Sequence, residues 1–354
     1  MFLSIIFLIT ILLAAIFTNV IRKLALKLKI VDHPDQDRKR HEKPIALLGG
    51  MAIFLCFWLV LGYIWFFTDK LGQNINAIQL LSMFLSSSLL MTVGFFDDRY
   101  NLNAKLRLVL VSISAILVII FAIDLSIVTN PLGGNFKLDW WQWSCGWASL
   151  SLIGDLVVFA WIMGMMFTVK ILDGLDGLAT GITAIGALMI FFLASTSLFY
   201  QADVRIISLI LVGACLGFLI FNFYPAKIFL GEGGGLFLGF ILGVLAVVAG
   251  GKIATALLVM AIPILDLAWV IYRRLKSKQS IFEGDRQHVF FRVVDAGMSQ
   301  PKTVLFLYLI SFLFGISTLI LPSKLKILAL LLLVALFLIG EKFFIKYVHK
   351  NKTS

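Results

Sequence analysis

The chain has 354 residues, 61% of them hydrophobic, with a mean hydropathy of +1.03 and a formal net charge of +11. No water-soluble core needs so apolar a composition, so a soluble globular domain is excluded and a polytopic membrane protein is predicted. The positive charge does not call for nucleic acid, because the basic residues sort by loop as membrane topology and anionic headgroups require.

Apolar runs predict an all-α fold of about eleven transmembrane helices, each closing its own backbone hydrogen bonds as lipid demands. The first covers 2–21. No Lys or Arg precedes it and no small-residue cleavage site follows, so it reads as a span and not as a cleaved leader. The loop 22–45 carries Arg38, Lys39, Arg40, His41 and Lys43 in DHPDQDRKRHEKPIALLGG. This basic cluster serves either topology and lipid binding or an anionic headgroup or phosphate. Spans at 46–67 and 78–96 follow, the latter ending in GFFDDRYNLNAKLRL. Asp97 and Asp98 there oppose the negative C-terminal end of the helix dipole. They are either solvated loop acids beside Arg99 and Lys105 or a functional pair, and the cost of acids at a membrane favours function.

A fourth span, 106–128, leads to a loop at 129–150 whose Trp140, Trp141, Trp143 and Trp147 read as an interfacial aromatic belt. Span 151–172 carries Lys170 at its inner end, where it snorkels or pairs with a carboxylate or phosphate. In VKILDGLDGLATG, Gly174, Gly177 and Gly181 permit a tight turn, and Asp173 and Asp176 share a face if the segment is helical. Asp176 can also cap the next span, 178–199, a role not open to Asp173. Span 205–223 is joined to 235–250 by FNFYPAKIFLGEGGGLFLGF, with Glu232 among glycines at a helix N-terminus. Glu232 is either a cap or an oxygen ligand for a hard cation, in backbone suited to phosphate. Span 253–272 contains Asp266, read as the structural partner of a basic residue. The loop 273–302 offers Glu283, Asp285, Arg286, His288 and Arg292 in FEGDRQHVFFRVVDAG. A short helix there sets His288 and Arg292 on one face, and guanidinium groups suit phosphate. Spans at 303–321 and 325–345 complete the set.

Taken by alternate loops, one side comprises about 22–45, 97–105, 173–177, 224–234 and 273–302, with their flanking span ends and the C-terminal tail. It holds all the basic residues except Lys70, Lys137, Arg205, Lys252, Lys324 and Lys326. The bias predicts an outside N-terminus and a cytoplasmic C-terminus, with residues 1–354 as a single transmembrane domain. All the acidic clusters are then cytoplasmic, which predicts a divalent metal and a phosphorylated substrate at that face. Cys56, Cys145 and Cys215 lack metal-type spacing and read as small buried hydrophobes.

Together these motifs resemble the polyprenyl-phosphate N-acetylhexosamine-1-phosphate transferases of glycosyltransferase family 4, from about Asp32 to Gly297. RKRHEKPIALLGG is similar to the first cytoplasmic loop of the undecaprenyl-phosphate N-acetylglucosamine-1-phosphate transferase branch. That branch uses UDP-N-acetylglucosamine and initiates O-antigen, enterobacterial common antigen or teichoic acid linkage units. FFDDRYNLNAKLRL is similar to its aspartate-pair motif, DGLDGLATG is the most specific string, and PAKIFLGEGGGLFLG and GDRQHVFF resemble the later motifs. The peptidoglycan-precursor branch is less similar, because its triple-histidine loop is absent.

The resemblance implies that undecaprenyl phosphate attacks the β-phosphate of a UDP-sugar, UDP-N-acetylglucosamine by default. UMP leaves and a lipid-linked diphospho-sugar forms for lipopolysaccharide or cell-wall synthesis. It implies Mg²⁺ as cofactor, or Mn²⁺ in its place, and an active site on the cytoplasmic face of a bacterial inner membrane. It leaves the assembly open, a homodimer included. By position it implies catalytic roles for Asp97, which would assist or deprotonate the lipid phosphate, and for Asp98 and Asp176. It implies metal ligation by Glu232 and Asp176. Substrate contacts fall to Lys105, Lys170, Asp173, Arg286, His288, Arg292, Arg38 and His41. Three departures stand out: Glu232 where the family has Asp, Lys170 where it has Asn, and Phe290 and Phe291 where histidines follow His288. They leave a working variant site or a catalytically altered lipid-phosphate-binding relative. A secondary transporter is the reading from another class, but transporters gather charge near the bilayer midplane and these acids sit at span ends.

Overall fold

The computed structural model describes residues 1–33, 44–122, 127–129, 135–137, 142–145, 148–249, 253–279 and 287–352. The chain opens with α1 (Phe2–Lys27), a short antiparallel pair β1 (Val31–Asp32) and β2 (Ile45–Ala46), then α2 (Gly49–Phe67), α3 (Ala77–Tyr100) and α4 (Ala104–Ala122). Two hairpins follow, β3 (Ile127–Thr129) with β4 (Asn135–Lys137) and β5 (Gln142–Cys145) with β6 (Ala148–Ser151). Then come α5 (Leu152–Leu172), α6 (Leu178–Leu193), α7 (Ala202–Asn222), α8 (Glu232–Val248), α9 (Ile253–Val259) and α10 (Ala261–Lys276). A short α11 (Val289–Asp295) precedes α12 (Gln300–Ile320) and α13 (Ser323–Lys352).

Among the described residues, seven of these helices are long and apolar enough to cross a membrane: α1 to α5, α7 and α12. The apolar helices α6 and α8 are shorter. The architecture is that of an α-helical membrane bundle, with three two-stranded β pairs added to the predicted all-α pattern. Two of those pairs occupy the predicted loop 129–150 and its edges: the predicted span 106–128 is helical only to Ala122, and Ile127 and Val128 belong to β3. Trp140, Trp141 and Trp147 and the side chains of Trp143 and Cys145 are outside the described residues. The predicted continuous span 253–272 is broken at Met260. Pro263 explains the break: it has no N–H for the carbonyl of Val259, and its ring crowds that carbonyl, so α9 ends there.

The core is built on α8. Nearly every one of its residues is buried, as its all-round apolar sequence requires. Gly233, Gly234, Gly235 and Gly239 let it approach other backbones closely. A Cβ at Gly94 of α3 would overlap the backbone of Gly233, and one at Gly235 would stand 2.8 Å from the Cα of Lys170 in α5. Small residues at helix crossings are the usual solution in lipid, where packing and not water drives association. Around α8, α5 and α3 pack on its sides, α1 packs on α7, and α12 closes against α6 and α9. Cys56 and Cys215 are buried in this packing, as predicted.

Two polar staples fix the ends of the bundle. At one end the buried Asp203 accepts hydrogen bonds from the backbone N–H groups of Asn74 (2.6 Å) and Ile75 (2.7 Å), tying α7 to the turn before α3. At the other, the Tyr308 hydroxyl of α12 donates to the Gly177 carbonyl at 2.5 Å. Its ring fills the space a side chain at Gly181 would need. This second staple holds the segment Asp173–Gly177, which lies between α5 and α6.

Candidate active site

The described parts of five predicted same-side segments meet at one end of the bundle. The β1–β2 pair lies beside the segment before α8, since Ala46 bridges Ile228 and Phe229 N–H donates to the Ala46 carbonyl at 2.9 Å. That segment is anchored in turn to the helix before it. The Asn222 amide donates to the Ile228 carbonyl at 3.0 Å, and the Thr180 hydroxyl donates to the Asn222 oxygen at 3.1 Å. The C-terminal ends of α3 and α5 and the N-terminal ends of α4 and α8 point to the same place. The segment after α10 joins them where Phe290 and Phe291 pack on Gly174.

Asp97 and Asp98 have different surroundings, although they are adjacent. Asp97 is buried, and both its oxygens are engaged: Oδ1 accepts the Leu102 N–H at 2.9 Å, and Oδ2 pairs with Arg107 at 2.6 Å. Asp97 thereby fixes the Arg107 guanidinium beside it. Asp98 reaches across to α8, where its Oδ1 accepts the Glu232 N–H at 3.1 Å. A carboxylate at a helix N-terminus satisfies an orphan donor and meets the positive end of the dipole. The other oxygen of Asp98 faces Gly231, whose φ of 74° and lack of Cβ allow that approach.

Glu232 is the first residue of α8, and Gly231 stands at the N-cap, so Glu232 does not cap its own helix by side chain. Its Oε2 contacts the Lys170 ammonium and lies 3.5 Å from Arg107. The pairing of Lys170 with Glu232 is one of the roles expected for Lys170. Arg107 is not among the expected site residues. Lys105, which is, lies exposed, and its backbone N–H donates to the Asn103 side chain at 2.9 Å. The signal for Arg107 was weak but present: a lone Arg one turn inside an apolar helix, following an acidic pair.

Asp173 ends α5 and lies among the acids. Burial, and then the charges of Glu232, Asp98 and Asp176, push its carboxyl well above the usual carboxylate range. Asp176 does not cap α6, whose N-cap is Gly177 in the left-handed region. Its Oδ2 accepts the Ala226 N–H at 2.9 Å and ties the acidic turn to the segment before α8.

His288 stands at the N-cap of α11, and the Arg292 N–H donates to the His288 carbonyl at 3.1 Å, so the two residues lie one turn apart as expected. His288 is buried. Its Nδ1 is 2.8 Å from Asp266 Oδ2, while Asp266 Oδ1 accepts the Val289 N–H at 3.0 Å. Asp266 is thus the partner of a basic residue, as predicted, and it fixes both the imidazole and the start of α11. The ring of His288 stacks parallel on Phe290, which itself packs on Gly174 beside Asp173. Burial lowers the pKa of Arg292 from its ordinary value. Arg38, Lys39, Arg40, His41, Lys43, Glu283, Asp285 and Arg286 lie outside the described residues.

The assembled cluster therefore contains Asp97, Asp98, Asp173, Asp176 and Glu232 with Lys170 and Arg107. Carboxylates outnumber cations, so the cluster is suited to receive added positive charge. Among the described residues, no three His, Cys, Asp or Glu side chains are set to hold a metal ion on their own. The donor set of hard carboxylate oxygens fits Mg²⁺ under one condition, that phosphate oxygens complete its shell. That is how Mg²⁺ is commonly held, by one or two carboxylates and a substrate.

Comparison with known proteins places this geometry in context. The family model of glycosyl transferase family 4 matches residues 80–250, which carry the whole acid–cation cluster. The probable undecaprenyl-phosphate N-acetylglucosaminyl 1-phosphate transferase of Bacillus subtilis (strain 168) is 30% identical over 325 residues, covering 90% of this chain and 84% of that protein. The decaprenyl-phosphate N-acetylglucosaminephosphotransferase of Mycobacterium tuberculosis (strain ATCC 25618 / H37Rv) is 29% identical over 318 residues, covering 82% and 76%. The undecaprenyl-phosphate alpha-N-acetylglucosaminyl 1-phosphate transferase of Salmonella typhimurium is 28% identical over 308 residues, covering 82% and 76%.

Proposed function

The chain belongs to glycosyl transferase family 4, and from that membership we propose that it transfers N-acetylglucosamine 1-phosphate from a UDP-sugar to a polyprenyl phosphate. The observation that carries the reading is the cluster itself. Motif residues far apart in the chain, Asp98 and Glu232 among them at 134 residues' separation, are joined by direct hydrogen bonds and ion pairs at one end of a membrane bundle. The names of the relatives support the acceptor and the transferred group.

In the reaction, an oxygen of the lipid phosphate forms a bond to the phosphorus that bears the sugar. The bond from that phosphorus to the bridging oxygen breaks, and UMP leaves with the electron pair. The products are the lipid-linked diphospho-sugar and UMP. There is little covalent work for the protein, so catalysis is positioning and charge stabilisation. Asp98, fixed on the α8 N-terminus, marks where the acceptor phosphate and the donor meet. Asp97 holds Arg107 in place. His288, oriented by Asp266, stands one aromatic ring from the acidic turn as a donor-side contact. Asp173 and Asp176 would hold Mg²⁺, with Mn²⁺ able to replace it, and the ion when bound would neutralise diphosphate charge.

In this reading the cluster faces the cytoplasm of a bacterial inner membrane, where UDP-sugars are made. Eleven membrane segments with an outside N-terminus fit the basic-residue bias, α9 and α10 together forming one of them. The product would start a cell-surface polymer such as lipopolysaccharide or a wall glycan. The test is UMP release by detergent-purified protein given undecaprenyl phosphate, UDP-N-acetylglucosamine and Mg²⁺. The expected result is release that a chelator abolishes and that Asp98→Asn lowers at least 100-fold. No release from any UDP-N-acetyl sugar by folded protein would overturn the reading.

A further inference from the structure

Lys170 lies in the last turn of an otherwise apolar helix, and its position is set by backbone. Gly235 brings α8 so near that a Cβ there would stand 2.8 Å from the Lys170 Cα. The lysine stem therefore emerges at the first turn of α8, beside Glu232. There a single carboxylate oxygen, Glu232 Oε2, faces the Lys170 ammonium on one side and the Arg107 guanidinium on the other. We propose that Lys170 and Arg107 form a clamp for the phosphoryl oxygens of a nucleoside diphosphate, and that Glu232 positions this clamp instead of binding the metal ion. The inference rests on the transferase reading, and it assigns within that site the charge that the chain itself supplies.

Three features support it. An oxygen shared by two cations has its charge already compensated, and a divalent ion approaching it would meet both of them. The cations, by contrast, are not used up, although the same Arg107 nitrogen that faces Glu232 also pairs with Asp97 at 2.6 Å. An ammonium carries three N–H donors and a guanidinium five, and Glu232 engages only part of that capacity. Both side chains also remain open to solvent, at 19% for Lys170 and 24% for Arg107, so an arriving anion can reach them. Finally, Lys170 and Arg107 lie beside the first residue of α8, whereas Asp173 and Asp176, the carboxylates proposed above to hold the metal, lie on the turn after α5. A diphosphate bridging those places would meet chain-borne charge at one end and the metal at the other. A guanidinium there adds bidentate geometry that an ammonium lacks.

The experiment measures binding of UDP and of uridine to the full-length protein in detergent by calorimetry, in EDTA. Wild type is expected to bind UDP at least tenfold more tightly than uridine without any metal. Lys170→Gln should lose that preference and leave uridine affinity unchanged, Lys170→Arg should keep it, and Arg107→Gln should read the same loss from the other arm of the clamp. A wild-type protein with no preference for UDP in EDTA overturns the proposal, as does a Lys170→Gln variant that retains it within twofold. A loss that falls on undecaprenyl phosphate binding instead also overturns it. Mn²⁺ binding followed by electron paramagnetic resonance tests the second half. Glu232→Gln should leave Mn²⁺ affinity within about twofold of wild type, whereas a tenfold fall would make Glu232 a ligand and overturn its positioning role. UMP release with UDP-N-acetylglucosamine separates the failures. Release without the lysine effect sinks only this inference, and the lysine effect without release sinks only the transferase reading.

Discussion

Adjacent carboxylates in this chain are made unlike by their contacts. Asp97 is fully committed to Leu102 and Arg107, while Asp98 spends one oxygen on the Glu232 N–H. The two substitutions should therefore separate. Asp97→Asn removes the charge partner of Arg107 and should cost about 1–3 kcal/mol of stability along with activity. Asp98→Asn keeps an acceptor for Glu232 and should leave the melting temperature within a few degrees while activity falls at least 100-fold. Thermal unfolding beside UMP release decides both. Asp173 gives a prediction of opposite sign for stability. Its folded carboxyl titrates above its unfolded value, so its contribution is fully favourable below the ordinary carboxylate pKa and is lost as pH rises toward the raised one. Asp173→Asn removes that loss and should raise the melting temperature of the metal-free protein at neutral pH while abolishing UMP release. The stabilisation should vanish near pH 4, which a melting series across pH will show. Such a residue gives up stability to hold charge where charge is needed.

At the scale of elements, α8 carries the site because glycine lets three helices touch it by backbone. Gly94→Ala would drive a methyl group into the Gly233 backbone, separate α3 from α8 and lengthen the Asp98–Glu232 contact. Overpacking of this kind costs about 1–3 kcal/mol, and activity should fall further than stability does. Gly62→Ala is the contrasting variant, because nothing lies within 4 Å of a Cβ there and α2 is helical around it. It should be neutral or stabilising by up to about 1 kcal/mol. Melting curves of both variants in one detergent give the comparison. The elements themselves were legible in the sequence to the extent that hydropathy is a local property. Every predicted span is helical over most of its length, and α8 begins at Glu232 as a glycine-flanked acid suggested. The break at Met260 was not read, although Pro263 announces it, because a run of apolar residues averages over one missing N–H. The hairpins between α4 and α5 were not read either, since apolarity and tryptophan content say nothing of strand pairing.

For the molecule as a whole, contacts bring the described parts of the segments 22–45, 97–105, 173–177, 224–234 and 273–302 to one end, and charge bias alone groups the same segments. The site inside that grouping was only partly legible. Lys170 and Glu232 were conspicuous as charges in apolar or glycine-rich surroundings, so their pairing was foreseeable. Arg107 acquires its role from Asp97 and from a helix far along the chain, and no local pattern encodes that meeting. Sidedness is checked with single-cysteine variants at the exposed Gln73 and Lys105, which flank opposite ends of α3. In intact cells an impermeant maleimide should label Gln73→Cys only, and Lys105→Cys should react after permeabilisation. The Tyr308 staple adds a constraint of another kind, one of timing. A ribosome makes Asp97, Asp98, Asp173, Asp176 and Glu232 well before residue 308, yet the acidic turn is braced by a hydroxyl on α12. In chain order, then, every carboxylate of the cluster precedes the residue that braces the turn they share.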